Sequence, residues 1–353
     1  MLFRSRYPDG NQTAVQFDAL GNPVLVVDEV GRMIGTQLNE DGTRLTFVRP
    51  DGRREIFEFG MKEEIKRIIN AKGEEATLEY DEVGRCRAIV HSDGRVHRIA
   101  YDELDFPVAV TDGSSGQLMA SCELDNGKCV REIYPDGREM ALSYGPLGEV
   151  VAIENADASI LYKWDYSSMK IVEETNDELK LRFTYDLRGN RTSLRSNKGR
   201  LIEYSWDGRR RLTKMVDSGQ WVYEYRHNEL DLVVEIRMPN GLRQLFEYDV
   251  LHRMTLRRVV RPDGSEVCAR RFYYDACNRL IGYDDSLRGT RRFTYDGVDH
   301  LIDVADNQAV TESYLHDANG NLLATRRGQA ITYAVGDRLT AVEDDVYSSD
   351  VWR

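Results

Sequence analysis

The residues best able to do chemistry lie in short turns. His91 and His97 flank the turn Ser92-Asp93-Gly94, and imidazoles beside a serine and a carboxylate are groups that nucleophilic catalysis uses. Two strands joined by a turn bring such residues together without any catalytic role. We therefore interpret both histidines as solvent-facing residues.

Paired carboxylates are the second chemical feature. Asp284-Asp285 and Asp344-Asp345 lie in predicted loops, and glycoside hydrolysis would need two carboxyl groups held across a cleft. Asp317-Ala318-Asn319-Gly320 offers oxygen ligands, but its spacing does not match a calcium-binding EF-hand. We predict a non-enzymatic chain with no catalytic residue, no metal site and no cofactor.

The cysteines predict neither a disulfide framework nor a metal site, because their number is odd and no CxxC pair occurs. Cys268 and Cys277 could face each other across a hairpin, but buried free thiols are the expected state. The five cysteines are Cys86, Cys122, Cys129, Cys268 and Cys277.

The elements that would position these residues form a repeat. Steps of about 21 residues from Phe17 reach sixteen anchor positions, thirteen of them aromatic, in a chain that is 9% aromatic. The anchors are Phe17, Leu38, Phe59, Tyr80, Tyr101, Cys122, Tyr144, Trp164, Tyr185, Trp206, Tyr225, Tyr248, Tyr274, Tyr295, His316 and Tyr333.

A turn is predicted after each anchor. Twelve of the sixteen positions four residues past an anchor are Gly, Asn, Asp or His, the residues that most readily take positive φ. Glu63, Ser168, Arg210 and Glu229 are the exceptions. The residues predicted to define the repeat are Tyr80, Asp81, Gly84, Tyr101, Tyr185, Asp186, Gly189, Tyr248, Tyr274, Asn278, Tyr295 and Gly320.

Apolar residues two positions before the anchors give the alternation of half-buried strands. Residues 61–70 could form a helix locally, but the repeat register predicts a strand there. We expect some rings on this face to stay exposed toward a cavity: Phe183, Tyr204, Tyr223, Phe246, Phe272 and Phe293.

The predicted fold is all-β, an array of about 15 β-hairpin repeats in one continuous curled or spiral sheet, a partial hollow shell. Residues 1–342 would form this single array, entered within a repeat, and residues 343–353 a disordered tail. A β-propeller is the alternative, since two units have the size of a four-stranded blade. Its Gly-His to Trp-Asp signature is absent from the sequence.

Composition excludes several classes of protein. The chain is 41% hydrophobic and 31% charged, which is typical of a folded protein. A net charge of −12 disfavours binding to nucleic acid. No apolar run reaches the length of a membrane span, and residues 1–10 lack the apolar core of a signal peptide.

The units YDEVGR, FTYDLRGNRTSL, YYDACNRLIGY and HDANGNLL, joined by Pro-Asp-Gly turns, resemble the YD repeats of the Rhs family. Such repeats also occur in the C components of insecticidal Tc toxins and in teneurins. The resemblance covers roughly residues 5–342. It implies a hollow β-shell that encloses a toxin, or keeps it inert until delivery to a competing or host cell.

The chain departs from the family pattern in one respect. The family's shell ends in an Asp-Pro-x-Gly-Leu motif with an aspartate-dependent self-cleavage, and no Asp-Pro pair occurs here. The expectation is a shell segment lacking cargo, whose partners are a toxin polypeptide or the rest of a shell, with edge-to-edge self-association as a further option. Its location would be secreted or extracellular, as part of a larger assembly.

Two other functions stay open. An adhesion or carbohydrate-binding module would use aromatic residues of the outer face, such as Trp221 if it points outward. A degenerate remnant of a larger gene would have no activity.

Overall fold

The computed structural model describes residues 2–324 and 329–342, and the backbone of 345–346. The described chain forms strands joined by short turns. The first fifteen are β1 Leu2–Arg6, β2 Gln12–Phe17, β3 Pro23–Val27, β4 Met33–Leu38, β5 Arg44–Val48, β6 Arg54–Phe59, β7 Ile65–Ile69, β8 Glu75–Tyr80, β9 Cys86–His91, β10 Val96–Tyr101, β11 Pro107–Asp112, β12 Leu118–Asp125, β13 Lys128–Ile133, β14 Glu139–Tyr144 and β15 Val150–Asn155.

The strands keep the same length and spacing toward the C-terminus. The next fifteen are β16 Ser159–Asp165, β17 Lys170–Asn176, β18 Leu179–Tyr185, β19 Arg191–Ser196, β20 Leu201–Trp206, β21 Leu212–Asp217, β22 Trp221–His227, β23 Val233–Arg237, β24 Arg243–Tyr248, β25 Met254–Val260, β26 Glu266–Tyr274, β27 Leu280–Asp285, β28 Gly289–Tyr295, β29 Leu301–Asp306 and β30 Ala309–Ser313.

These thirty strands belong to one antiparallel sheet, in which strands adjacent along the chain pair. The predicted all-β array of hairpin repeats in a continuous sheet is confirmed. The propeller alternative is wrong, because its blades would be separate four-stranded sheets. The predicted hollow interior stays a prediction.

A second sheet of three strands follows: β31 Ile331–Ala334, β32 Arg338–Val342 and β33 Asp345–Val346. Between β30 and β31 the described residues make only isolated bridges, His316 with Leu322 and Ala324 with Ala330. The single array over residues 1–342 stays a prediction. The predicted disorder of 343–353 falls, apart from residues 345–346, outside the described residues.

The chain divides into two units. The first unit contains Met1–Ala120, Phe272–Asp284 and Gly289–Arg353, and the second contains Ser121–Arg271 and Asp285–Arg288. Both consist of the same hairpins. No helix that could span a membrane occurs in the described part of the chain.

A β-bulge marks most anchors. The strand register shifts between Glu79 and Tyr80, and again at the same place in later repeats. A bulge adds one residue to one strand and bends it. In β22 the shift falls at His227, with positive φ at Asp231, so the anchor placed at Tyr225 is wrong by two residues.

Two local features of the sequence can be compared with the strands. Residues 60–64 form a turn and 65–69 form β7, so the strand prediction for 61–70 is confirmed over its second half. The longest step between anchors, from Tyr248 to Tyr274, contains the seven-residue β25 and the nine-residue β26.

The sheet has an apolar face, defined here as the face that carries cross-strand pairs such as Leu78 with Ile89 and Tyr204 with Met215. Ser205 and its partner Lys214 lie on the opposite face. Few side chains are fully buried. Among the described residues the buried apolar ones are Ala88, Ala152, Phe183, Ile202, Leu256, Val260 and Val304.

Candidate functional site

The anchor tyrosines tie neighbouring strands together. The hydroxyl of Tyr80 donates a hydrogen bond of 2.8 Å to the carbonyl of Ile65, the first residue of β7. Burial raises the pKa of Tyr80. The same bond joins Tyr101 to Cys86, Tyr144 to Cys129, Tyr185 to Ile171, Tyr248 to Val233 and Tyr295 to Leu280.

Tryptophan replaces tyrosine with the same chemistry. The indole Nε1 of Trp164 donates to the Val150 carbonyl (2.9 Å), and that of Trp206 donates to the Arg191 carbonyl (2.7 Å). Tyrosine and tryptophan both combine an apolar ring with one polar donor. The anchor position thus calls for a ring that can also donate.

We call the turn after an anchor an anchor turn, and an aspartate organises many of these turns. Asp81 Oδ1 accepts from the N–H groups of Val83 (3.1 Å) and Arg85 (2.9 Å), and Oδ2 accepts from Arg85 Nε (2.7 Å). The Arg85 side chain and backbone hydrogen bonds lower the pKa of Asp81. Asp186 accepts from the N–H groups of Arg188 and Asn190 in the same way.

The fourth turn position has positive φ in most anchor turns. The angles are 95° at Gly84, 80° at Gly189, 64° at Asn278 and 90° at Gly320. A Cβ on Gly320 would lie 2.8 Å from Nε2 of His300, whose ring stacks on His316 at 4.7 Å. A side chain there would therefore have to displace an imidazole.

Two exceptions to the residue rule keep the conformation. Glu63 and Arg210 both have φ of 64°, although neither residue favours it. The turns at the other two exceptions place the positive φ at Met169 and Asp231 instead. Backbone geometry is thus more regular than residue type.

An arginine that sequence analysis overlooked links one anchor turn to the next. Arg85, which bonds Asp81 of its own turn, also bonds Asp105 of the following anchor turn at 2.5 Å. Its guanidinium lies over the ring of Tyr101, 4.8 Å from the ring centroid. Arg279 repeats this arrangement with Asp275, Tyr295 and Asp299, and Arg211 repeats the two carboxylate contacts with Asp207 and Asp231. The sequence feature that could have indicated these links is an arginine directly after the fourth turn position, as in Gly84-Arg85 and Asn278-Arg279.

Within the first unit, turns from the two ends of the chain meet. We call the turns at the other end of the strands return turns. Return turns between residues 28 and 95 contact anchor turns between residues 275 and 337, and we call this contact region the seam. Arg32 bonds its own Asp28 (2.5 Å) and reaches Asp299 (2.6 Å) and the Gly297 carbonyl (3.1 Å). Its partner Asp299 is 267 residues away in sequence.

The same form of contact recurs along the seam. Arg53 donates to the Asp317 carbonyl (3.0 Å), and Arg95 donates to the Val335 carbonyl. Lys72 bonds the carboxylates of Asp317 (2.6 Å) and Asp337 (2.9 Å). Basic return turns thus bind acidic or carbonyl-rich anchor turns.

The seam shifts the ionisation of its carboxylates. The hydrogen bond from Arg32 lowers the pKa of Asp299, despite partial burial. Burial acts to raise the pKa of Asp317, but the bonds from Lys72 and Asn321 outweigh it and lower this pKa to about 2. These acids are therefore charged at every pH above about 4.

One cluster at the seam has metal-binding residue types. Single ligand atoms of Asp28, Glu29 and Cys277 lie within 4.8 Å of one another. The guanidinium of Arg32 lies among them, 3.4 Å from Cys277 Sγ. Its charge already compensates the carboxylates, so the arrangement favours an ion pair over a bound cation.

The prediction for the histidines at the Ser92-Asp93-Gly94 turn is wrong. His91 and His97 are half-buried and contact each other, with Nε2 and Nδ1 3.4 Å apart. Burial lowers the pKa of both rings. Adjacent strands place them side by side, which explains why neither faces solvent freely.

The loop prediction for Asp284-Asp285 is also wrong, since both residues end strand β27. Asp284 bonds Arg292 at 2.6 Å, and Asp285 bonds Arg270 at 2.8 Å. The alternative pair at 344–345 lies outside the residues whose side chains are described. Asp317-Ala318-Asn319-Gly320 directs its aspartate oxygens to protein donors.

The cysteine prediction fails at one pair. A disulfide joins Cys122 and Cys129 across the hairpin of β12 and β13. The hairpin brings together two residues seven positions apart, which spacing alone did not indicate. Cys86, Cys268 and Cys277 are free and half-buried.

The apolar face keeps its rings partly accessible. Of the six aromatic residues expected there, Phe183 is buried, while Tyr204, Tyr223, Phe246, Phe272 and Phe293 are half-buried. Trp221, which an adhesion module would use if it pointed outward, is 51% exposed, but it lies on the apolar face, two residues from Tyr223 in β22.

Fold and contacts together define a β-hairpin repeat protein in which side chains bond neighbouring repeats to each other at several places. No protein-family model matches the chain. It is 24% identical over 312 residues to double-stranded DNA deaminase toxin A of Burkholderia cenocepacia (strain H111), covering 81% of this chain and 22% of that protein.

Among solved structures, the chain is similar to TcdB2-TccC3 (TM-score 0.48, 13% identity, 96% of this chain and 23% of that one). It is also similar to a Photorhabdus luminescens Tc holotoxin pore (TM-score 0.47, 14% identity, 95% and 23%). The chain spans about a quarter or less of each of these proteins. The resemblance to toxin proteins of the Tc type that the motifs predicted is found again.

Proposed function

We propose that the chain is a non-enzymatic wall segment of an Rhs-type toxin shell, and that its apolar face contacts a toxin polypeptide. The observation that carries the proposal is the half-buried apolar face. A face covered by a second layer would bury its rings, as protein cores do. A polypeptide with exposed apolar groups is a suitable partner for such a surface.

The similarity to a deaminase toxin supports a toxin context. It does not assign deamination to this chain, which spans 22% of that relative. The arginines and aspartates of the turns support a structural role, because their charge-assisted hydrogen bonds join neighbouring repeats.

A binding measurement tests the proposal. The probe is a permanently unfolded polypeptide, reduced and carboxymethylated lactalbumin, labelled with a fluorophore and followed by anisotropy. We expect wild type to bind it and Tyr204→Glu to bind about tenfold more weakly, because the new carboxylate would be desolvated in the contact.

Ser205→Glu is the matched control, because it adds the same charge to the opposite face of the same strand. It should leave binding unchanged. Equal loss in both variants, or no binding by wild type, would contradict the proposal.

Trp221 favours a second candidate, a carbohydrate-binding surface. Its half-exposed indole lies at the start of β22, on the same apolar face as Tyr223, and exposed aromatic rings stack on sugars. Binding to immobilised glycans that Trp221→Ala abolishes, with no binding of the unfolded polypeptide by wild type, would support this candidate over the shell.

A further inference from the structure

Outside the seam, the chain carries a carboxylate and an arginine that match the two sides of the seam contact and that bond only within their own region of the sheet. The first of these groups is the carboxylate of Asp105, which lies in an anchor turn as Asp299 does. Asp105 occupies the same turn position, with φ of 66° against 72° for Asp299. Arg85 bonds it at 2.5 Å, as Arg279 bonds Asp299 at 2.6 Å.

The two carboxylates differ in one partner. Asp299 receives a second guanidinium, from the return-turn residue Arg32. Among the described residues, the only side chain that bonds the Asp105 carboxylate is Arg85, and the Asp105 side chain is 70% exposed. One acceptor position equivalent to the Arg32 contact is therefore open.

The second of these groups is a return-turn arginine. Arg138 ends the turn Tyr134-Pro135-Asp136-Gly137 and bonds Asp136 through Nε at 2.5 Å. Arg95 bonds Asp93 through Nε at 2.6 Å and uses Nη2 for the Val335 carbonyl across the seam. Arg138 lies near the Tyr134 ring, but its side chain is 68% exposed.

Apolar groups accompany the open carboxylate. Val83 and Leu104, at the tips of two adjacent anchor turns, are 74% and 67% exposed. The residues at the same turn position in the seam, Cys277 and Val298, are half-buried. Covering the open turns would thus bury apolar surface as well as join charges.

We propose that anchor turns 81–85 and 102–106 form a docking surface for a second copy of this chain, which inserts its Arg138 return turn beside Asp105. The contact repeats the one that Arg32 makes with Asp299. Its two sides differ, so each copy leaves one side free and further copies can add head to tail. This inference does not depend on the proposed function.

Sedimentation velocity over a range of protein concentrations tests it. At about 0.1 M salt, the sedimentation coefficient of wild type should rise with protein concentration. At about 1 M salt most of this rise should disappear, because charges are screened beyond ~3 Å. Asp105→Arg and Arg138→Asp should each weaken association about tenfold.

The double variant Asp105→Arg with Arg138→Asp should recover association, since the reversed charges again match between copies. Glu247→Arg, a charge reversal within strand β24, changes the net charge by as much as Asp105→Arg does and should have no effect on association. Circular dichroism confirms folding, and Asp105→Asn replaces the reversal if Asp105→Arg does not fold.

A wild type that is monomeric at every concentration would overturn the proposal. So would association that the single variants leave intact, or a loss that the double variant does not recover.

Discussion

At the residue scale, most anchor tyrosines and tryptophans have two roles. Each such ring covers apolar surface and donates one hydrogen bond to a carbonyl at the start of a neighbouring strand, as Tyr248 does to Val233 at 2.8 Å. Phenylalanine can do only the first. This is why the anchors from Tyr80 onward are mostly tyrosine or tryptophan.

Removing one hydroxyl should therefore cost stability. Tyr248→Phe leaves the Val233 carbonyl without this donor, and we expect the free energy of unfolding to fall by about 1 kcal/mol. Urea denaturation followed by circular dichroism measures it. Tyr162→Phe is the control: no hydrogen bond of its hydroxyl occurs among the described residues, so an equal loss there would refute the explanation.

Glu63 offers the opposite change. Its φ of 64° strains a residue with a Cβ, so Glu63→Gly should stabilise the protein by about 0.5–1 kcal/mol, after the entropy cost of glycine. Glu82→Gly, at a turn position without positive φ, should destabilise it. The pair is compared by the same urea titration, and the same sign in both would count against strain at Glu63.

Much at this scale could be predicted from the sequence. Aromatic spacing placed Tyr80 and Tyr185 at strand ends, and residue type indicated positive φ at Gly84. The arginine links were missed because Arg85 contacts Asp105 and Tyr101, which lie 16 to 20 positions away in sequence. The positive φ at Glu63 could not be predicted from the sequence, because glutamate rarely adopts positive φ.

At the element scale, the seam joins turns that are far apart in the chain. Arg32 is 20% exposed and bonds both its own turn and Asp299. Its counterpart Arg85 bonds only residues up to 20 positions away. The two arginines separate local from long-range contributions.

Arg32→Ala should loosen anchor turn 296–300 without unfolding the unit. Losing charged hydrogen bonds worth about 1–3 kcal/mol should speed hydrogen exchange in that turn roughly tenfold to a hundredfold. Arg85→Ala should speed exchange only near 81–85 and 102–106. Unchanged exchange at 296–300 in Arg32→Ala would show that the seam contributes nothing there.

The seam should also be sensitive to acid. Asp317 has a folded pKa of about 2, below its usual 3.8, so its stabilisation is complete above about pH 4 and is lost as pH falls toward 2. Asp317→Asn should flatten the stability profile over this range, measured by urea unfolding at each pH. A profile as steep as that of wild type would assign the acid sensitivity to other groups.

At the scale of the whole molecule, repetition determines the fold. Each hairpin buries little by itself and depends on its neighbours, so a single sheet of thirty strands results. The period near 21 residues predicted this sheet, since every unit obeys the same register. The seam could not be predicted, because it depends on how turns such as 28–32 and 296–300 meet in space.

Site-directed photocrosslinking tests the central claim, that the apolar face holds a polypeptide. A photoreactive phenylalanine analogue replaces Tyr204 on the apolar face or Ser205 on the opposite face, and the unfolded lactalbumin probe is added before irradiation. We predict crosslinks from position 204 and none from 205. Equal crosslinking at both positions, or crosslinking from 205 alone, would contradict the claim.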